Sequence, residues 1–247
     1  MTKIVWLGTG SGFNTALGNT SFMMSGDTNR KLLVDCGFSV TPYLLQNGLI
    51  NQITDIVITH QHADHIGGLE LFAFYWFFVL AKQEPRPIIH LPNQAFADRL
   101  WNEALRAGLG YNQYPDGQPR ILVLTDYFDV QIGTKVSIPG LPTVEYVPTN
   151  HLTAMESYAL KFCNELYYSG DSTELPLTDF PIIFQDCQFT KGLKFTSHIE
   201  YERLKTELPE EVKQKIWLVH LGNGWEKIEA VADGFAGFVR PGQEFVL

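Results

Sequence analysis

The chain has 247 residues, of which 45% are apolar and 13% aromatic, so it can bury a full core as one large domain. This composition excludes an intrinsically disordered protein. Its 18 basic and 27 acidic residues give a net charge of −9. Since phosphate neutralisation supplies most of the affinity for long nucleic acids, that charge argues against such a partner. We expect a single domain spanning residues 1–247.

The cysteines and the apolar stretches indicate the cellular compartment in which the protein is expected to be found. Cys36, Cys163 and Cys187 are odd in number and scattered, which implies no disulfide framework and fits a reducing compartment. The N-terminal sequence is M-T-K-I-V-W-L-G-T-G, a strand followed by a glycine turn, with no signal peptide. The longest apolar stretch, Leu71–Leu80, is too short to span a bilayer. We therefore expect a cytoplasmic protein with no membrane partner.

Short strands alternate with turns and a few helices, which is the pattern of an α/β protein with two sheets. Strands of a first sheet are predicted at Lys3–Leu7, Ser21–Met24, Lys31–Val34, Asp55–Thr59 and Ile88–Leu91. Later strands are predicted at Ile121–Leu124, Lys135–Ile138, Val144–Pro148, Tyr158–Cys163, Leu166–Tyr168 and Ile216–Val219. Helices are predicted at Gly68–Lys82, Asn93–Leu105, Glu200–Glu207 and Lys227–Asp233. The segment Gly110–Gln118 is rich in turn residues.

The stretch T-H-Q-H-A-D-H-I-G-G is the most informative motif, because it places four metal-competent side chains within six residues. It follows the apolar, β-branched run 53–59, so its ligands lie where a buried strand ends. His60 and His62 can point the same way from an extended segment, whereas Asp64 and His65 follow the bend and face another point. One loop can thus serve two cations, and the motif predicts a metal site.

Three more ligand-type residues stand where predicted strands end. His151 closes E-Y-V-P-T-N-H, Asp171 closes Y-Y-S-G-D, and His220 ends the apolar I-W-L-V-H. Taken singly, a histidine at the end of an apolar strand is more often structural. Their order along the chain, together with the first motif, makes the stronger case for a shared metal site.

That order resembles the metallo-β-lactamase superfamily, from residue 3 to the C-terminus. The resemblance implies an αββα sandwich, in which two mixed β-sheets are flanked by helices, with a site for two divalent metal ions, zinc or alternatively manganese, at the sheet edges. It assigns one metal to His60, His62 and His151, and the other to Asp64, His65 and His220. It makes Asp171 the bridging ligand, and Asp35 in L-L-V-D-C-G an aspartate that supports the ligands.

The start L-G-T-G-S-G-F, the motif G-N-T-S and an extra histidine, His198 in F-T-S-H-I-E, are similar to the ribonuclease Z and cyclic-nucleotide phosphodiesterase branch. A phosphodiester fits two cations, which can brace the attacking and leaving oxygens. His198 is then a candidate general acid for the leaving sugar oxygen or a donor to the phosphorus centre, and Asp64 is a catalytic residue as well as a ligand. A surface histidine at the start of a helix remains the alternative for His198.

Two phosphodiesterase interpretations remain. Ribonuclease Z, a tRNA 3′-processing endonuclease, would need H-E-A-T and H-S-T motifs and a protruding arm, whereas this chain has F-Q-D-C and S-H-I-E and no candidate arm. The segments L-V-D-C-G-F-S-V-T-P-Y, H-A-D-H-I-G-G-L-E and D-G-F-A-G-F-V-R-P-G-Q resemble the phage anti-Pycsar phosphodiesterases. That resemblance implies a homodimer that hydrolyses 3′,5′-cyclic nucleotides, such as cyclic CMP and UMP signals, to 5′-monophosphates. A non-phosphate metallo-hydrolase acting on lactones or thioesters stays an alternative.

The remaining candidates carry weaker signals. Tyr111 and Tyr114 lie on a loop flanked by glycine and proline, where exposure and stacking on the substrate base are expected. Family resemblance implies that such a loop covers the neighbouring subunit's site. Asp186 and Cys187 lie near the site in sequence order, but no base is paired to Cys187 by spacing, so a nucleophilic cysteine is not expected. His90 in I-I-H-L-P is expected to serve packing.

Overall fold

The described residues form two seven-stranded mixed β-sheets and a separate two-stranded hairpin. The computed structural model describes residues 1–80, 85–113, 117–190 and 196–247. Within these ranges the strands are β1 Lys3–Gly8, β2 Ser21–Ser25, β3 Lys31–Val34, β4 Asp55–Val57, β5 Ile88–Leu91, β6 Tyr111–Gln113, β7 Pro119–Ile121, β8 Asp129–Ile132, β9 Lys135–Val136, β10 Val144–Thr149, β11 Ser157–Phe162, β12 Leu166–Tyr168, β13 Ile182–Asp186, β14 Ile216–Val219, β15 Gly237–Phe238 and β16 Glu244–Val246.

Both sheets combine an antiparallel part with a parallel part. The first has the order β16-β1-β2-β3-β4-β5-β8, and its strands are parallel from β3 onward. The second has the order β15-β14-β13-β12-β11-β10-β9, with parallel pairing from β12 to β15. Because parallel strands end at the same edge of a sheet, each sheet gathers the residues that follow several strands at one edge.

Aromatic side chains fill the space between the sheets. Trp6 and Phe22 of the first sheet are fully buried and lie with ring centroids 4.8 Å apart. Across the interface the Trp6 ring is 4.9 Å from that of Phe184, and the Phe22 ring is 5.4 Å from that of Tyr168. Edge-to-face contacts of this kind are favourable beyond the area that they bury. The core therefore lies between two face-to-face sheets, as the sandwich prediction requires.

Helices connect the strands and flank the two sheets. They are α1 Val40–Gln46, α2 Ala63–Ile66, α3 Leu69–Tyr75, α4 Gln94–Arg99, α5 Arg106–Leu109, α6 Leu124–Tyr127, α7 Tyr201–Glu207 and α8 Glu210–Lys213. A π-helical turn, Trp76–Leu80, extends α3, and another, Leu100–Leu105, joins α4 to α5. Short 3₁₀ turns occur at Thr15–Leu17, Ile50–Gln52 and Trp225–Lys227.

The helical stretch Ala63–Leu80 is longer than the apolar run predicted within it. Its 18 residues are long and apolar enough to cross a membrane by length and composition, but half of them are buried inside the protein. Its first turn contains Asp64 and the buried His65. Because the core helix of a globular protein passes the same test, we assign this stretch to the core.

Most predicted strands are confirmed within a residue or two, and two predicted elements are wrong. Ile121–Leu124 is not a strand of the second sheet, since β7 ends at Ile121 and pairs only with β6, while α6 begins at Leu124. The backbone N–H of Val123 donates to the Asp126 carboxylate at 2.7 Å, which favours this helical turn. Lys227–Asp233 is not a helix, because the 3₁₀ turn ends at Lys227 and Ile228 is extended.

Four strands were not predicted in the two large sheets, namely β8, β13, β15 and β16. Gly110–Gln118, predicted as turn-rich, contains the short strand β6, and its residues 114–116 lie outside the described ranges. The predicted end of the helix Gly68–Lys82 likewise falls partly outside them. His90, expected to serve packing, is buried but makes a polar contact instead, since its Nε2 lies 2.8 Å from the buried Asp55 carboxylate, which Arg30 also binds.

Candidate metal centre

Seven predicted ligand residues meet at the edge where parallel strands of the two sheets end. His60 and His62 follow β4, and Asp64 and His65 lie on the adjoining helix α2. On the second sheet, ligand-type residues follow β10, β12 and β14, and they are His151, Asp171 and His220. A bridge between Gly10 and Leu221 joins the two sheets at this edge. The structure thus brings together all seven residues from distant parts of the sequence.

A first group consists of three imidazoles and one carboxylate. The Nε2 atoms of His60 and His151 each lie 3.1 Å from Nδ1 of His62. The Asp171 carboxylate is 3.6 Å from His60 Nε2 and 3.9 Å from His151 Nε2. One atom from each residue lies within 4.8 Å of the others, which is the spacing of ligands around a single cation.

A second group consists of two imidazoles and two carboxylates. Nε2 of His220 lies 3.2 Å from Oδ2 of Asp64, and Nε2 of His65 lies 3.3 Å from Oδ1 of Asp171. The ligand atoms of these four residues also lie within 4.8 Å of one another. Since Asp171 belongs to both groups, its carboxylate occupies the position expected of a bridging ligand.

Asp35, expected to support the ligands, contacts His65 directly. Its Oδ2 lies 2.8 Å from His65 Nδ1, and Thr59 donates both its backbone N–H and its hydroxyl to the same carboxylate at 2.8 Å. With Nδ1–H donating to Asp35, the His65 ring presents Nε2 to the second group. A carboxylate behind a ligating imidazole fixes the tautomer and the orientation of the ring.

Asp186 is the residue of the site whose role sequence reasoning missed. It is fully buried at the end of β13, where its Oδ2 lies 2.7 Å from Nδ1 of His198 and its Oδ1 lies 3.2 Å from Nδ1 of His220. The carboxylate therefore orients two imidazoles at once. A signal was present, since I-I-F-Q-D has the same form as the other strands that end in a ligand-type residue.

His198 belongs to neither of these two groups, but one of its ring nitrogens lies within 4.8 Å of ligand atoms of Asp171, Asp186 and His220, which form a third cluster of metal-competent side chains. Its Nδ1 faces Asp186, and its ring stacks on that of His220 with centroids 4.9 Å apart. Burial lowers the pKa of His198, but the charge and hydrogen bond of Asp186 outweigh burial and raise that pKa above its ordinary value. With Nδ1–H held by Asp186, Nε2 is the nitrogen that can exchange a proton with a substrate.

The donor set fits divalent cations. Burial lowers the pKa of His60, His62 and His151, which keeps these imidazoles neutral with lone pairs available. The buried atoms His65 Nε2 and Asp171 Oδ1 have no hydrogen-bond partner among the described residues, although buried polar atoms normally have one. Both atoms point into the second group, where a cation would satisfy them. Imidazole nitrogens mixed with carboxylate oxygens suit zinc, with manganese as the alternative.

Backbone conformation at the site is unusual. Asp35 and His220 have left-handed φ angles of 59° and 57°, which residues other than glycine seldom adopt. Gly170, just before Asp171, has φ 55°, and a Cβ there would lie 2.6 Å from the carbonyl oxygen of Tyr158. Such strain persists where the surrounding structure fixes it, and it clusters at functional sites. Here it directs the side chains that follow strand ends toward one point.

A cavity of about 650 Å³ opens onto the two groups and has a size suited to a small ligand. None of its described lining residues is lysine or arginine. Cys187 lines the wall, but burial raises the pKa of its thiol well above the ordinary value, so the thiol stays protonated, as expected. Tyr111 is 68% exposed and does not line this cavity, and Tyr114 lies outside the described residues.

Comparisons with known proteins agree with the geometry. The family model "Anti-Pycsar protein Apyc1" matches residues 2–245. An anti-Pycsar protein Apyc1 from Bacillus phage vB_BveM-Goe7 is 34% identical over 265 residues, covering 100% of this chain and 98% of the relative.

Solved structures agree on the fold. The crystal structure of a new diphosphatase from the PhnP family covers 100% of this chain and 98% of its own, with a TM-score of 0.75 at 17% identity. Short-form human tRNase Z covers 99% and 98%, with a TM-score of 0.65 at 14% identity. The chain has the metallo-β-lactamase fold and belongs to the anti-Pycsar protein Apyc1 family.

Proposed function

We propose that this protein is a metal-dependent phosphodiesterase that hydrolyses 3′,5′-cyclic nucleotides to nucleoside 5′-monophosphates. The observation that carries the proposal is the pair of ligand groups sharing Asp171, with His198 held beside them by Asp186. The relatives that cover the whole chain are named anti-Pycsar proteins, which supports a cyclic pyrimidine nucleotide signal as the substrate.

The charge distribution favours a small substrate. A net charge of −9 argues against a broad basic surface that would bind a long phosphate backbone. A cyclic nucleotide carries one phosphate charge and needs attraction only at that point, which the cations at the two ligand groups would supply. The same features count against a tRNA-processing endonuclease.

The residues have distinct roles in the proposed reaction. Bound divalent cations supply Lewis acidity for the phosphate and activate water, and the seven ligand residues would hold them. Water attacks phosphorus and releases one proton to solvent, the bond from phosphorus to the 3′ oxygen breaks, and His198 Nε2 transfers its proton to that leaving oxygen and is reprotonated from solvent. The product is a 5′-monophosphate with a free 3′-hydroxyl. Asp186 keeps the His198 ring oriented, and Asp64 contributes as a ligand next to the reacting phosphate.

The product distinguishes this reaction from the alternatives. We expect chromatography of a digest of cyclic CMP and cyclic UMP to yield 5′-monophosphates, while Asp171→Ala purified in parallel yields none. A panel of bis-p-nitrophenyl phosphate, pre-tRNA, a thioester, a lactone and a β-lactam tests substrate class. A 3′-monophosphate would refute the proposed bond cleavage. Hydrolysis of pre-tRNA or a lactone without any cyclic nucleotide would refute the function.

We also propose that the active form is a homodimer in which the 111–114 segment reaches the neighbouring subunit's cavity. Tyr111 and Ile121 are paired across the β6–β7 hairpin and are 68% and 69% exposed. An exposed apolar pair of this kind favours a partner surface. In light scattering at micromolar concentration we expect the dimer mass, and a monomer would refute the proposal.

Replacing Tyr111 and Tyr114 with alanine is expected to raise KM for the cyclic nucleotide, whereas an unchanged KM would exclude contact with the base.

Cyclic nucleotide signals act inside the cell, so we place the activity in the cytoplasm, and in the host cytoplasm if the gene is carried by a phage. There the enzyme would lower the concentration of a defence signal.

Each chain is proposed to act as one domain over residues 1–247, since the ligands of a single site come from both sheets.

A further inference from the structure

Two phenylalanine side chains at the mouth of the cavity have no role in the proposed chemistry. Phe13 lies on the loop after β1 and is 94% exposed, while Phe38 lies on the loop after β3 and is 43% exposed. Both line the cavity that contains His62, Asp64 and His198. These two loops place their aromatic rings on the solvent side of the metal ligands.

The rings differ from the third phenylalanine of the cavity. Phe189 packs against Tyr201 and Phe238, with centroids 5.7 Å and 6.0 Å away, so its ring belongs to the wall. Within the described part of the chain, neither Phe13 nor Phe38 has an aromatic ring contact of this kind. Their faces are therefore available for a planar group that enters the cavity.

The loop of Phe13 is fixed to the site rather than loosely attached. The backbone N–H of Ser11 and the side-chain amide of Asn14 both donate to the carbonyl oxygen of Leu221, at 3.3 Å and 2.9 Å. Leu221 directly follows the ligand residue His220. The hydrogen bonds of Ser11 and Asn14 therefore fix the loop backbone on both sides of Phe13 beside the metal ligands. A loop that is already ordered loses less conformational entropy when a ligand binds.

Gly12 explains how this loop comes so near to the ligands. A Cβ at Gly12 would lie 3.1 Å from Oδ2 of Asp64 and 3.2 Å from its Cγ, closer than ordinary van der Waals contact. Glycine lets the loop cross directly over the Asp64 carboxylate, so the next residue projects beyond it. Phe13 therefore follows directly on the residue that touches a metal ligand, and both line the same cavity.

We propose, building on the phosphodiesterase function above, that Phe13 and Phe38 form the nucleobase subsite, in which the substrate base stacks on the Phe13 ring. The phosphate of the substrate is held at the ligand groups, and the base occupies the cavity mouth. Stacking on a phenyl face recognises the flat apolar surface of the base and not its edge. Phe38 lines the same cavity and contributes a second partly exposed ring.

The test separates binding of the base from the chemistry. Phe13→Ala is expected to raise KM for a cyclic nucleotide about 5- to 150-fold with kcat unchanged, since the stacking is made equally in the ground and transition states. Phe13→Trp is expected to restore KM, and Phe13→Leu is not. Ribose 3′,5′-cyclic phosphate, which has no aromatic ring to stack, is the control substrate, and the wild-type enzyme and Phe13→Ala are expected to open it with the same kcat/KM. Phe78→Ala removes a half-exposed ring from α3's π-helical extension and serves as the matched control.

Calorimetry of the metal-loaded enzyme gives an independent readout. Phe13→Ala and Phe38→Ala are expected to weaken binding of a nucleoside 5′-monophosphate, while binding of ribose 5-phosphate, which lacks a base, does not change. If the wild-type enzyme opens cyclic nucleotides and Phe13→Ala has the same KM and the same nucleotide affinity, the subsite is refuted and the function stands. If the wild-type enzyme opens no cyclic nucleotide, the proposed function itself has failed.

Discussion

Replacing Asp171 with alanine is expected to remove the metals and the activity together. Its carboxylate is the one group common to both sets of ligand atoms, and it is buried. Without it, each set keeps three side chains, and His60 and His65 lose a carboxylate that lies 3.6 Å and 3.3 Å away. We expect wild-type protein purified without chelator to contain two divalent cations per chain. We expect Asp171→Ala to contain fewer than one and to lose at least about 10³-fold in kcat.

Elemental analysis and melting temperature together separate metal loss from misfolding. Cations that bind only the folded chain stabilise it, so a chelator is expected to lower the Tm of the wild-type protein. The same chelator is expected to leave the Tm of Asp171→Ala unchanged, because that variant has little metal to lose. Asp179→Ala, which removes an exposed carboxylate nearby in sequence, is the matched control and should behave as wild type.

Two results would contradict this prediction. Wild-type protein with one cation or none would exclude a shared site, and so would an Asp171→Ala variant that keeps two cations and its kcat. We expect neither result, because the buried carboxylates of the site need positive charge to balance them. Burial lowers the pKa of His220, but Asp171, Asp186 and Asp64 raise it to about 10. A proton on His220 and a cation thus compete to balance the same carboxylates, and binding of the cation releases the proton.

The ligand cluster was predictable from sequence because each ligand stands beside a strong local signal. The run 53–59 is apolar and β-branched, and four metal-competent residues follow it within a few positions. Asp171 follows the buried strand β12, and His220 follows β14, which was predicted with its observed bounds. Strand ends in a parallel sheet meet at one edge, so their order in sequence indicates their proximity in space.

The role of Asp186 could not be predicted, since it depends on pairing between distant segments. β13 contains only five residues, and it is a strand because it pairs in parallel with β12 on one side and β14 on the other. The apolar run that ends in Asp186 marks a candidate strand end, but it does not show which side chains the carboxylate contacts. Only the register of the pairing, Asp186 opposite Val219, places its carboxylate against the imidazole of the adjacent residue, His220.

The strand predicted at Ile121–Leu124 is wrong because of a local contact, whereas the role of Asp186 depends on long-range pairing. The apolar run I-L-V-L favours a strand by composition, but a short apolar run also fits a buried helix. A polar contact decides between them, since the Asp126 carboxylate accepts from the N–H of Val123 and starts α6. The position of Phe13 on the cavity wall was not predicted either, because an exposed phenylalanine in a glycine-rich loop has no periodic partner that would mark it.

Replacing His198 with alanine is expected to keep both metals and the fold but to lower kcat on a cyclic nucleotide about 10²- to 10⁴-fold, the usual contribution of a positioned proton donor. His198 belongs to neither of the two groups assigned to the cations, and its Nδ1 lies 2.7 Å from Oδ2 of Asp186. Elemental analysis should therefore give the wild-type metal content. His198→Gln can still donate to Asp186 but cannot transfer a proton, so we expect the same loss.

Asp186→Asn tests whether the carboxylate works through the imidazole. We expect kcat to fall about 10- to 100-fold, the usual effect of altering a group behind a ligand or catalytic histidine. Because Asp186 also contacts His220, metal content is measured in the same samples. If Asp186 only positions His198, the double variant His198→Ala with Asp186→Asn should be no slower than His198→Ala alone. A further additive loss would show that Asp186 acts through His220 instead.

The leaving group decides what His198 does. A 3′ sugar oxygen is a poor leaving group and needs a proton as its bond to phosphorus breaks, whereas p-nitrophenolate leaves without one. We therefore expect His198→Ala to hydrolyse bis-p-nitrophenyl phosphate at nearly the wild-type rate while its activity on cyclic CMP collapses. An equal loss on both substrates would mean that the imidazole stabilises charge on the phosphorus oxygens. No loss on either would make it structural, and its 2.7 Å contact with Asp186 would then serve only to neutralise a buried carboxylate.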